Sequence, residues 1–420
     1  MYRRNIESTW QARLAQPYVQ IIFGARQTGK STLLRNLIPN PVLNLDFSDP
    51  GQRSNFLSRP EQLIGICRAM PKVSEPQAVV IDEAQNVPAI FDAVQHLYDN
   101  DKTRWRFILC GSSARKLRKL ESNLLPGRSL VSHLYPLVTG ERACAERDTG
   151  PKLGYTPDSP LPWEAQESPL KLEAWPAAEL VTRLAWGELP GVVTVENEQV
   201  RGELLRSYSM VYLAEEVRRE ALVNDWVGFS RFLQLAAAES GQSVHYTRIA
   251  QQAGISAPTV KSHYELLEDM FVGFHLPAFS GSDRKGVLST PRFYLFDLGV
   301  RHATAGLNPS RDTVLAAPGP IFEQWVGLEL WKRLQYLQDG TLSYLRTKDG
   351  AEIDFIIERA GRLTPIEVKW TEHPRMADAR HLNSFIGEHG DRVTQGYIIC
   401  RCPYPVALSD KITALPWYWL

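Results

Sequence analysis

Near the start of the chain, Gly24, Gly29, Lys30 and Ser31 occupy every fixed position of the pattern G-x-x-x-x-G-K-[ST]. That pattern is a phosphate cradle. Glycines let successive backbone N–H groups turn inward around phosphate oxygens, and a helix opening at Lys30 aims the positive end of its dipole at them. The Lys30 ammonium can reach β- and γ-phosphate oxygens, and the Ser31 hydroxyl can ligate Mg2+. Ala25, Arg26, Gln27 and Thr28 between the fixed positions, and Thr32 behind them, complete the expected nucleotide-binding set. Further on, the apolar run 78–81 ends in Asp82-Glu83. Asp82 at such a strand end can hold the same Mg2+ through water, and Glu83 can polarise an attacking water. A third apolar run, 105–111, ends in Ser112-Ser113. Ser112 can stand between the acids and a γ-phosphate as a sensor, or simply turn the chain.

A second constellation lies in the C-terminal third. Residues 351–358 and 363–370 read as successive strands on either side of Ala360-Gly361. A symmetric loop there pairs Asp354 with Glu367 and Glu352 with Lys369. Facing residues lie about 4.5–5.5 Å apart at Cβ, and period-two alternation puts Glu367 and Lys369 on one face. Two carboxylates so placed can share a Mg2+, which lowers the pKa of bound water. Lys369 can orient that water or offset phosphate charge. Glu323, on an amphipathic helical stretch just upstream, can add an oxygen ligand. The same residues can also make a charged hairpin face of salt bridges.

Something must position these groups. Strand-like runs alternating with helical ones over the first third predict a parallel α/β sheet, with ligand chemistry at the strand C-terminal ends. Residues 149–176 are crowded with proline and glycine and lose apolar periodicity, as an exposed linker or insertion does. Apolar positions then recur at helical spacing over 203–220 and 226–238. Residues 247–253, Gly254, a capping Ser256 and Pro258 have helix-turn-helix spacing, with Ile249, Ile255, Val260 and Leu267 as a small core and 271–279 as a wing. That module either sets Thr259, Lys261, Ser262 and His263 against DNA or is a structural lid; Glu265, Glu268 and Asp269 keep it from being strongly basic. The run Arg115-Lys116-Leu117-Arg118-Lys119 is a solvated face or a phosphate contact.

Basic and acidic residues balance at 47 each, so any nucleic-acid affinity must come from local basic faces. The 5 cysteines form no Cys-x-x-Cys pair, which argues against a disulfide framework or zinc site. No apolar run is long enough to span a membrane and the N-terminus has no signal-peptide pattern. The expectation is a cytoplasmic chain.

The loop at 24–31, the runs 79–85 and 108–113, and Leu125-Pro126-Gly127-Arg128 ahead of Tyr135-Pro136-Leu137 resemble the AAA-type bacterial ATPases that carry a C-terminal DUF4143 domain. The likeness runs over most of the chain. It implies ATP and Mg2+ as cofactors, a homo-oligomer, and a PD-(D/E)XK nuclease-like fold at the C-terminus. Arg128 matches the arginine usually found after the sensor strand. It acts on the γ-phosphate, in its own subunit or a neighbour's, or else makes a surface salt bridge. One departure is that Ala351-Glu352-Ile353, not a glycine-proline pair, precedes Asp354. The expected fold class is α/β: an AAA-like P-loop sheet (1–145), a linker or insertion (146–178), a helical lid with winged helix-turn-helix (179–285) and a restriction-endonuclease-like α/β domain (286–420). The expected activity is ATP hydrolysis coupled to DNA binding and metal-dependent nucleic-acid cleavage. The alternative is an ATP-dependent DNA-binding or signalling switch without nuclease activity.

Overall fold

The computed structural model describes residues 2–113, 125–146, 177–213, 217, 225–279, 290–348 and 350–420. The basic run at 115–119 and most of the linker stretch lie outside the described residues. The chain folds as two compact units: 3–135 with 266–272, and 136–265 with 273–420.

The first unit is built on five strands, β1 (Val19–Phe23), β2 (Leu43–Asp46), β3 (Gln77–Asp82), β4 (Trp105–Gly111) and β5 (Ser129–His133). They pair in the order β2-β3-β4-β1-β5, all parallel. Between them run helices Lys30–Leu37, Pro50–Ser58, Gln62–Ala69 and Ile90–Asn100. β1 is buried along its whole length, as a central strand flanked on both edges and covered on its faces must be. Ile21, Phe23, Val79, Ile81, Phe107 and Leu109 form the core with Leu63, Phe91 and Val94 from the helices. Parallel pairing brings the strand C-termini to one edge. There Asp46 lies beside Asp82, and Phe23 beside Gly111.

The second unit begins with helices. Ala177–Trp186, Glu198–Ser207 with a π-helical turn Tyr208–Leu213, and Trp226–Ala238 precede the helix pair Tyr246–Ala253 and Ala257–Asp269, whose end from Leu266 on belongs to the first unit. Gly254 ends the first of that pair in the left-handed region, at φ 73°. Ser256 Oγ accepts from Thr259 N (3.2 Å) to start the second. Ile249 and Val260 are fully buried, whereas Ile255 is only partly so. The stretch 271–279, expected as a wing hairpin, holds only one strand, β6 (Gly273–Leu276), which pairs antiparallel with the later β7 (Arg292–Leu295). An expected boundary at 285 falls inside the connection between these strands, and their pairing joins its two sides.

Helix Pro318–Leu337 follows, then β8 (Thr341–Arg346), β9 (Glu352–Arg359), β10 (Arg362–Val368), helix Arg380–Glu388, β11 (Gly396–Cys400), β12 (Val406–Ser409) and β13 (Ile412–Pro416). The six strands make one mixed sheet, β12-β13-β11-β10-β9-β8. β8, β9 and β10 are an antiparallel meander; β10, β11 and β13 run parallel. Ala360 and Gly361 both have positive φ (47° and 75°), the I′-type turn whose twist suits a two-residue hairpin. This turn pairs Ile366 with Phe355, and one step on the same register sets Glu367 opposite Asp354.

A buried ionic joint ties this unit together. Glu329 Oε1 accepts from Thr139 N (2.8 Å) and from Arg333 Nε (3.1 Å). Lys332 stands 3.3 Å from Oε2 and donates to Leu137 O (2.7 Å). A buried carboxylate is tolerable only with such multiple partners.

Candidate functional site

The phosphate loop sits at the C-terminal end of β1. Gly29 is at φ 97°, a left-handed backbone that strains other residues, and a Cβ on Gly24 would meet Leu134 O at 2.3 Å. Thr28 Oγ1 donates to Ala25 O (2.9 Å), and Arg4 donates to Thr28 O (2.7 Å), which fixes the loop from outside. Lys30 is buried and donates to Gly24 O (2.7 Å) and Ala25 O (3.0 Å). The ammonium thus lies under the loop, on carbonyls that phosphate oxygens would replace as its partners.

The strand ends complete the site. Ser31 Oγ donates to Asp82 Oδ2 (2.8 Å), although the two come from elements far apart in sequence. Hydroxyl and carboxylate side by side are the donor set that Mg2+ takes with a nucleotide, so these residues fit that ion. Asp82 Oδ1 accepts from Glu83 N (2.9 Å) and from the Cys110 thiol (2.8 Å). Burial and the adjacent Asp82 charge push that thiol pKa far up, so it stays a donor. Glu83 Oε2 accepts from Ser112 Oγ (3.1 Å), and Gln85 Nε2 bridges Glu83 and Ser112. Ser112 thus orients Glu83 together with Gln85. A cavity of about 450 Å3 opens beside Ser31 and Asp82, bordered by Arg35, Asn44 and Asp46.

Arg128 is not brought to this site. It immediately precedes β5, whose first residue pairs with Val19 at the start of β1, and so it stands at the opposite edge of the parallel sheet. Its Nε makes an ion pair with Asp99 Oδ1 (2.7 Å) on helix Ile90–Asn100. Within one subunit it cannot touch a nucleotide held at the C-terminal edge.

In the second unit the hairpin carboxylates are close and buried. Val368 N donates to Asp354 Oδ2 (2.8 Å), and Lys369 Nζ donates to Glu367 Oε2 (2.8 Å). Glu367 Oε1 is buried without a hydrogen-bond partner. Burial, and then the Asp354 charge, raise the Glu367 pKa; burial raises that of Asp354, which Lys369 only partly offsets. Burial alone would lower Lys369, but Glu367 and Asp354 outweigh it and hold the ammonium above its ordinary value. Two crowded carboxyls with an orphaned oxygen fit a divalent cation, which would neutralise both.

Glu323 faces the same region from helix Pro318–Leu337 but is turned elsewhere. It accepts from Arg292 (2.9 Å), whose other nitrogen bonds Glu352. Glu323 is raised by burial and by Asp354. Among the described residues no group of three or more carboxylate, histidine or cysteine side chains stands ready to hold a metal. In this conformation the cluster offers a pair, with Glu323 held by an arginine. On helix Ala257–Asp269, His263 packs edge-on against Phe229 (4.9 Å) and is only partly exposed, whereas Lys261 and Ser262 are exposed.

Sequence reasoning missed Gln85 and Arg292. Gln85 lies in the quoted run after Glu83, but only the fold shows it turning back to Ser112. Arg292 had a signal: a lone cation in an apolar strand, Arg292-Phe293-Tyr294-Leu295, is costly unless paired.

Comparison with known proteins adds three matches to domain families. Residues 16–143 match the AAA domain, 177–311 a domain of unknown function (DUF8612), and 318–420 the domain of unknown function DUF4143. Uncharacterized proteins of Mycobacterium bovis and Mycobacterium tuberculosis are each 23% identical over 416 residues, 99% of this chain and 83% of theirs. A DNA polymerase III gamma subunit-related protein of Thermotoga maritima is similar at 13% identity and a TM-score of 0.27, over 63% of this chain and 97% of that one. With the phosphate loop at the end of β1 and the acids at the end of β3, the chain joins an N-terminal AAA domain, of P-loop α/β fold, to a C-terminal DUF4143 domain.

Proposed function

We propose that this chain hydrolyses ATP at the parallel-sheet edge and uses the turnover to control a nucleic-acid-binding and metal-dependent cleaving second unit. For the ATPase half, the AAA match and the loop geometry support Lys30 on the phosphates, Ser31 and Asp82 on Mg2+, and Glu83 on the attacking water. Mg2+ would there neutralise phosphate charge. The chain's own part is to hold the triphosphate by backbone amides and Lys30, and to aim Glu83 through Ser112 and Gln85. For the cleavage half, one observation carries the reading: Asp354 and Glu367 are both buried on neighbouring strands of one hairpin, Glu367 Oε1 has no hydrogen-bond partner, and Lys369 Nζ is bonded to Glu367. The helix–meander–helix–strand order around them suits the restriction-endonuclease-like fold. Under this reading the division is 1–145, 146–178, 179–285 and 286–420. Lys261 and Ser262 on the exposed face of helix Ala257–Asp269 are available to a duplex.

A Mg2+-dependent cleavage assay tests the second half. The parent should cut a DNA or RNA substrate, and Asp354→Ala and Lys369→Ala should each lose about 10²-fold or more. One observation favours the alternative, an ATP-dependent binding or signalling switch: Arg292 already neutralises Glu323 and Glu352. Absence of cutting on every nucleic-acid form, with ATP turnover intact, would select it.

A further inference from the structure

A cleft of about 1130 Å3 lies inside the second unit. Its walls come from the entry to helix Tyr246–Ala253, from β7, from the start of helix Pro318–Leu337 and from the β8–β9 connection. Five cations line it among the described residues: Arg248, Arg292, Arg301, Arg346 and Lys348. Only Glu323 and Glu352 among its lining residues are acidic, and Arg292 holds both.

The cations divide by their existing work. Arg301 donates to Ala237 O (3.0 Å) and Ala238 O (3.1 Å), closing the end of helix Trp226–Ala238. Arg292 is buried at the floor. Arg248, Arg346 and Lys348 are exposed at the rim. Arg248 pairs with Glu239 at 2.9 Å, and Arg346 stands 4.0 Å from Glu352. A chain with no net charge has therefore gathered exposed cations from two elements around one cleft, whose floor is two residues along β9 from Asp354.

We infer that this cleft binds a single polynucleotide strand by its phosphates and leads it to the hairpin carboxylates. The inference rests on the nucleic-acid reading above and adds the site and the form of the ligand. Size decides the form. A space of about 1130 Å3 is too small to enclose a duplex, whose major groove alone is about 12 Å wide and 8.5 Å deep. It also exceeds the range of about 300–1,000 Å3 common for small-molecule sites, so several linked nucleotides fit. Arg248 takes phosphate at one part of the rim, Arg346 and Lys348 at another. Arg292 exchanges its carboxylate partners for a phosphate at the floor, which releases Glu323 toward Asp354 and Glu367. DNA and RNA single strands share the chemistry used.

The test is fluorescence anisotropy of the full chain with labelled single-stranded DNA, single-stranded RNA and duplex DNA. EDTA is present so that binding is read without cleavage. The parent should bind at least one single strand more tightly than the duplex. Arg346→Ala combined with Lys348→Ala should weaken that binding about 10-fold or more and flatten the salt dependence, each lost phosphate contact removing about 0.7 from the log–log slope. Arg248→Ala, on a separate element, guards against a local folding defect in the first variant and should act in the same direction. Lys72→Ala, exposed on the other unit, should leave binding unchanged. Parent-like affinity in both cleft variants overturns the inference, as does failure of the parent to bind either single strand at low salt. Cleft-dependent binding without any cutting once Mg2+ is added upholds it while removing the cleavage reading.

Discussion

The phosphate loop and the carboxylate hairpin hold their charges in opposite ways. Around the loop Lys30 rests on loop carbonyls, Asp82 takes donors from Ser31, Glu83 and Cys110, and Glu83 is held by Ser112 and Gln85. In the hairpin two carboxyls crowd one buried place, one oxygen has no donor, and the third carboxylate is drawn off by Arg292. Fixed dipoles already in place need little rearrangement when the nucleotide arrives, which is the economical arrangement for charge development. A site with unmet negative charge waits for a cation or a protonation change to complete it. Under the proposed function, the first arrangement suits turnover and the second waits on a bound metal.

The largest break in this contrast comes from the loop. Glu83→Gln should lower ATP turnover about 10²–10⁴-fold while nucleotide still binds, read by phosphate release and by binding of a labelled analogue. Full turnover in that variant would remove Glu83 from its role. Lys30→Ala should instead weaken binding itself about 10–100-fold, because it removes charge-assisted hydrogen bonds worth about 1.5–3 kcal/mol.

The hairpin should respond to pH and metal. Its carboxyls have folded-state pKa values above their unfolded ones. Such groups favour the fold fully below the unfolded value, near 4, and that contribution is lost as pH rises through the raised folded value. In EDTA the parent should therefore lose stability on going from pH 4.5 to 8, to an extent that Glu367→Gln diminishes. At pH 8 the variant should be the more stable by roughly 1–3 kcal/mol in denaturant titration. Mg2+ or Mn2+ should narrow the gap by stabilising only the parent. A variant with the parent's pH slope would show that the pair is not strained.

The smallest effect belongs to Arg128. Arg128→Ala should change ATP affinity of the isolated subunit by less than about twofold, since exposed ion pairs contribute little. A large loss of turnover that appears only with rising protein concentration would assign the arginine to a neighbouring subunit's nucleotide.

What could be read from sequence was what the chain spells out contiguously. The phosphate loop is one uninterrupted stretch, and alternation on both sides of Ala360-Gly361 fixes a hairpin register before any tertiary contact is known. Arg128 needed one further step. In a parallel sheet, a residue entering a strand lies at the edge opposite to a loop leaving its neighbour, so proximity in a motif list is not proximity in space. Arg292 and Gln85 depend on tertiary approach alone. Arg292 comes from β7 and meets Glu323 and Glu352 from two later elements, and no local pattern encodes that meeting.

The joint at Glu329 has a practical corollary. Dissolved ions shield charges at the surface but hardly reach an ion cluster sealed inside packed helices. Brine strong enough to dissolve the exposed ion pairs would therefore leave that inner fastening intact, and the unit it closes should keep its helices and sheet through a high-salt wash.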